Sequence, residues 1–181
     1  VKVIDIFIFN GYGELLLQKR APRKTNQPGK YQNSVWWHAN AYEDIDFTAM
    51  HECIEEIGAP LYIAPKQQDF QEAYKKLSPY IDKFVLAKKL SIDFRKKKFI
   101  DHKKEKHIIK DHTHAYIWLY SGSVTSIDRS SSGFERLTLE HLNQELEKNP
   151  QNYTPNMHLF AKEFENKFST FIEKYCKYLS K

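Results

Sequence analysis

The chain has 181 residues, enough for one compact domain and short for two. Its 41% hydrophobic and 28% charged content is ordinary for a globular protein, and seven Pro with six Gly exclude a collagen-like or low-complexity chain. No apolar run reaches the length of a membrane span, and a net charge of +5 suits an acidic small-molecule partner; loose nucleic-acid contact is compatible with it but not indicated.

Val1 to Phe9 alternates and then runs apolar, as a buried strand does. Asn10-Gly11 with Gly13 is a hairpin signal, and Glu14 to Leu17 reads as the returning strand. Ala21 to Lys30 holds two prolines and a glycine among charges and reads as a loop; Ser34 to Trp37 reads as a further short strand. Asp44 and Asp46 can each cap a helix running to about Ile57, with Gly58 stopping it and Pro60 beyond. A weaker helix is expected at Gln68 to Lys76. Lys83 to Ala87 and Ile108 to Tyr120 read as strands, joined by a lysine-rich segment (Arg95, Lys96, Lys97, Lys98, Lys103, Lys104, Lys106) that reads as a solvated loop face. Thr138 caps a helix over Leu139 to Lys148. Thr154-Pro155 opens a last helix, whose Met157, Phe160, Phe164, Phe168, Phe171 and Tyr175 recur at steps of three and four as a packing face. Cys53 and Cys176 lie far apart among helical apolar residues. They read as buried thiols of a reducing compartment, so the expected location is cytoplasmic.

The segment from Phe47 to Gly58 is the most informative. On a helical wheel Met50, Cys53, Ile54 and Ile57 share one side, while Glu52, Glu55 and Glu56 share the other. Three carboxylates at i, i+3 and i+4 repel one another, and no lysine is interleaved to offset this. Such an oxygen-rich cluster suits Mg²⁺ or Mn²⁺; the same residues would also make a plain acidic surface helix. His112 and His114, two apart, would share one strand face, but no Cys pair or HExxH completes a zinc site, so they and His102 and His107 read as strand-end histidines in a polar loop. Trp36 and Trp37 suit stacking on a base or capping a pocket, whereas Trp118 reads as core.

Ala49 to Ala59, AMHECIEEIGA, resembles the core of the Nudix box, GX5EX7REUXEEXGU with U aliphatic. Glu43, Glu52, Glu55, Glu56 and Gly58 match it in spacing, which places the box at about residues 37–59. Upstream, FIFNGYGELLLQKRA and NSVWWH resemble the family's hairpin and approach segment. Downstream, NYTPNMHLF resembles the helix start of the branch that includes isopentenyl diphosphate isomerases and their hydrolase relatives. The resemblance implies an α/β fold, an α/β/α sandwich around a mixed β-sheet with a loop–helix–loop box, over a single domain spanning 1–181. It further implies a Mg²⁺- or Mn²⁺-dependent hydrolase cleaving the diphosphate of a nucleoside-diphosphate-type small molecule. Glu52 and Glu55 would be catalytic. Glu52, Glu55, Glu56 and the backbone carbonyl of Trp37 would hold the metal, and Lys19, Arg20, His38 and Glu43 would contact the substrate.

Three departures fall inside the box. Trp37 and Tyr42 stand where the pattern has glycine, and His51 stands in place of the arginine before Glu52. A tryptophan can still offer its carbonyl if its φ/ψ tolerates a Cβ, and an imidazole holds a neighbouring carboxylate less firmly than a guanidinium does. The alternative reading is therefore a catalytically impaired fold that binds a ligand or a protein. Isomerase activity is not expected, because Trp36 occupies the isomerase's cysteine position and Asp111-His112-Thr113 offers one acid where its second motif has two.

Overall fold

The computed structural model describes residues 2–40, 42–100, 106–124 and 131–176. Eight strands and five α-helices follow in the order β1 (Lys2–Phe9), β2 (Leu15–Arg20), β3 (Tyr31–Gln32), β4 (Val35–Ala39), α1 (Ile45–Glu52), β5 (Leu61–Ala64), α2 (Gln67–Leu77), β6 (Val85–Ile100), β7 (Lys106–Leu119), β8 (Ser131–Leu137), α3 (Leu139–Lys148), α4 (Pro155–Glu163) and α5 (Glu165–Tyr175). They build a mixed sheet in the order β3-β2-β1-β7-β6-β5, with β4 on β1 and β8 on β2.

Strand β1 shows why the fold has three layers. Ile4, Ile6 and Ile8 face one way and pack with Ala49, Cys53 and Ile57 of the α1 region. Phe7 and Phe9 face the other way and pack with Phe70 of α2, Leu142 of α3, Met157 and Phe160 of α4, and Phe168 and Phe171 of α5. A strand buried on both faces needs apolar residues at consecutive positions, and the run from Val3 to Phe9, broken only by buried Asp5, supplies them. Phe7 meets the rings of Phe160, Phe164 and Phe168 at centroid distances of 5.2, 5.6 and 5.0 Å, so the aromatic stripe at the C-terminal end is core, as its spacing implied. The stripe lies on two helices, not one, because the chain breaks at Phe164 between α4 and α5.

The hairpin after β1 closes at Gly13, whose φ of 78° lies in the left-handed region and whose α-carbon faces Ile172 of α5 so closely that a Cβ would stand 2.8 Å from its Cγ2. Strands β5 and β8 carry weak signals and were not expected. The lysine-rich segment departs further: residues 95–98 and Lys106 belong to β6 and β7, a long antiparallel pair and not a loop. His102, Lys103 and Lys104 lie outside the described residues. No helix among the described residues is long and apolar enough to cross a membrane.

Candidate functional site

Helix α1 is anchored at its start by Asp44, which accepts a hydrogen bond from the Phe47 N–H at 2.8 Å, the expected N-cap. Glu43 ties the preceding loop. It accepts from the Asn40 N–H and side-chain amide at 3.1 and 2.6 Å, and those bonds hold its carboxyl below the ordinary value. The helix ends in a π-helical turn over Cys53–Ile57, closed at Gly58 with φ 75°. Ala49, Cys53 and Ile57 are buried, but Met50 and Ile54, expected on the same apolar side, are 42% and 60% exposed. The buried thiol of Cys53 donates to the Ala59 carbonyl, and burial pushes its pKa up to about 12.

The three glutamates do not form one group. Donor atoms of His51, Glu52 and Glu55 all lie within 4.8 Å of one another, with His51 Nε2 at 3.5 Å from Glu55 Oε1. Glu56 lies outside that set and accepts a hydrogen bond from the indole N–H of Trp37 at 3.1 Å. Trp37, expected to contribute through its carbonyl, therefore reaches the box with its side chain. The set of two carboxylates and one imidazole has the hard, oxygen-dominated character that Mg²⁺ or Mn²⁺ accepts, Mn²⁺ tolerating the nitrogen better.

Beside Glu56 opens a cavity of about 220 Å³ whose walls include Gln18, Arg20, Lys24, Trp36, Trp37 and His38. Strand alternation decides which basic residues reach it. Gln18 and Arg20 share one face of β2, while Lys19 points to the other and lies over the Tyr31 ring, 5.4 Å from its centroid. Arg20 and His38 of the expected substrate contacts thus line the cavity, and Lys19 and Glu43 do not. Arg20 is oriented by two neutral acceptors, the Asn26 carbonyl at 3.0 Å and Gln32 Oε1 at 2.6 Å, and Gln32 is in turn bonded to Gln18. Neutral partners fix the guanidinium without cancelling its charge, which leaves it suited to an anion. Burial lowers its pKa from the ordinary value, yet an arginine so far above neutrality stays charged.

Lys24, Gln18 and Gln32 were not singled out in the sequence; the i, i+2 relation of Gln18 to Arg20 was the available signal. His112 and His114 share a face, with ring centroids 4.4 Å apart. They do not lie in a polar loop: both stand on β7, and His114 is only 9% exposed. Trp118 is fully buried core.

No protein-family model and no curated protein sequence matches this chain. Solved structures do. A MutT protein from Methanosarcina mazei Go1 superposes with a TM-score of 0.58 at 14% identity, over 92% of this chain and 94% of that one. A Nudix hydrolase from Alicyclobacillus acidocaldarius gives 0.56 at 14%, over 93% and 95%. A protein of Deinococcus radiodurans gives 0.58 at 16%, over 90% and 82%.

Proposed function

The chain has the fold of the Nudix hydrolases, and from that premise we propose that it is a divalent-metal-dependent hydrolase of a small molecule in which a diphosphate is linked to an organic group. The observation that carries this reading is the placement of Glu52 and Glu55 at the end of the helix whose next carboxylate, Glu56, borders a cavity containing the Arg20 guanidinium. Acidic groups that attract a cation lie on this helix, and a basic group that attracts an anion lines the cavity that Glu56 borders. A diphosphate complexed to a divalent cation needs both.

Glu52 and Glu55, with His51, would hold Mg²⁺ or Mn²⁺, which when bound screens diphosphate charge and lowers the pKa of a coordinated water. Arg20 would bind a phosphate oxygen, its direction set by Gln32 and Asn26. Lys24 would add a second positive charge at the cavity wall, and the rings of Trp36 and His38, 4.4 Å apart, would flank the organic part. Trp37 fixes the direction of Glu56, which borders the cavity.

Phosphate release from a panel of nucleoside and prenyl diphosphates, with Mg²⁺ or Mn²⁺, tests the reading. Glu52→Gln and Glu55→Gln are each expected to lower kcat/KM by at least about a hundredfold, the scale on which one group acting on the attacking water contributes. Turnover equal to the wild type in both variants would overturn it. One observation favours the second reading, a binding module: the indole N–H already occupies one oxygen of Glu56. That reading predicts calorimetric binding of a diphosphate with no turnover of any panel member.

A further inference from the structure

Strands β6 and β7 pair antiparallel from Leu86 opposite Leu119 to Ile100 opposite Lys106, with one irregularity between Lys89 and Ser91. Their neighbours are much shorter. Strand β5 meets β6 only over residues 85–88, and β1 meets β7 only over 112–119. Among the described residues, the pairs from Arg95–Asp111 to Ile100–Lys106 therefore have no third strand, and β6 and β7 continue past the sheet as a two-stranded ribbon.

The charge of the chain is concentrated there. Residues 94–100 and 106–111 contain six of the 28 basic residues and one of the 23 acidic ones; the other 22 basic and 22 acidic residues cancel. The whole formal charge of +5 thus sits on the two arms of the ribbon. Register and alternation place Lys96, Lys98, Lys106 and Lys110 on one face with no acidic residue among them, and Lys96 stands directly opposite Lys110. Like charges at opposed positions weaken a ladder, and an isolated two-stranded ribbon is marginal to begin with. Scattered lysines would blunt a sheet edge against strand addition. They do not require a face of one sign.

We propose that this ribbon is a docking surface for duplex nucleic acid, with the Lys96, Lys98, Lys106 and Lys110 face set against phosphates. A two-stranded ribbon is of a size that the major groove of B-form DNA admits, and phosphates neutralise the repulsion that the register builds in. A membrane surface fits less well. Interfacial segments gather their apolar residues on one face, whereas here Phe94, Ile100 and Ile108 alternate with the lysines on one face and Phe99 and Ile109 lie on the other. A second copy adding a strand would bring the same charge against itself.

Fluorescence anisotropy of the full chain with a labelled DNA duplex, read across a salt series, tests this. Binding is expected to weaken with salt, and changing Lys96, Lys98, Lys106 and Lys110 together to Gln should lower the log–log salt slope by about 3 to 4, at roughly 0.9 for each phosphate no longer neutralised. Changing Lys75, Lys76, Lys148 and Lys162, which are exposed and lie on helices, to Gln removes equal charge and should leave the slope near the wild-type value. Should the first set fail to fold by circular dichroism, single Lys96→Gln and Lys110→Gln carry the same test at about one unit of slope each. No duplex binding, an equal loss in both quadruple variants, or tighter binding to anionic vesicles or to single strands would each overturn the proposal.

Discussion

Trp37 stands where a glycine would give the backbone more freedom, and it uses its side chain instead. Its indole lies 6.4 Å from the ring of buried Trp118 and donates to Glu56, so an aromatic packed at the edge of the core fixes the direction of a box carboxylate. Trp37→Phe keeps most of the ring and removes the donor. We expect a stability loss of about 1 kcal/mol in urea denaturation, the usual net value of one hydrogen bond. If the indole also withholds Glu56 from a cation, Mn²⁺ should bind several-fold more tightly to this variant in calorimetry. An unchanged Kd would show that Glu56 takes no part in metal binding. The acidic pattern of the helix was legible in the sequence, since Glu52, Glu55 and Glu56 stand at i, i+3 and i+4. The division of its carboxylates was not, because an indole arriving from β4 is a tertiary contact that no spacing encodes.

At the scale of elements, α1 is held to the sheet by more than its buried face. Asp46, in its first turn, accepts the Tyr116 hydroxyl of β7 at 2.5 Å and pairs with Lys89 of β6 at 2.9 Å. Burial first, and then the hydrogen bond to Asp46, drives the Tyr116 pKa well above its ordinary value, so the phenol remains a donor at any working pH. Tyr116→Phe should cost about 1 to 2 kcal/mol, near the lower end for a bond to a charged acceptor, because Asp46 is 40% exposed. Lys89→Met should cost less than about 1 kcal/mol, as an exposed ion pair does. Urea denaturation of both variants checks the order; Lys89 proving the costlier would contradict it. Elements with a local cause were legible: Thr138 and Thr154 cap α3 and α4 as read, and β1 is the long apolar strand. The rest lacked a local cause. Strand β8 carries Gly133 and no apolar alternation, and exists because it lies along β2. The lysine-rich arms are poor strand formers that persist by pairing with each other. The π-helical turn that follows α1 leaves no mark in a 3.6-residue pattern.

For the whole molecule, the most consequential buried titratable side chain away from the site is His114. Its neighbours in the sheet are Ile4 and Ile92, and neither ring nitrogen meets a hydrogen-bond partner among the described residues. Burial lowers its pKa below the ordinary 6.5, and the charges of His112, Lys89 and Lys2 push the same way against a single opposing carboxylate, Asp46. Above pH 6.5 the imidazole is neutral in both folded and unfolded chains and has no effect on the balance. As pH falls through 6.5 the unfolded chain takes up the proton first, so stability declines until the folded-state pKa is passed and then levels off. His114→Leu removes the titration and leaves no polar atom to desolvate. Its urea midpoint at pH 7.5 should match or exceed that of the wild type, and its midpoint should fall less between pH 6.5 and pH 5. A parallel decline in the two proteins would assign the acid sensitivity to other groups.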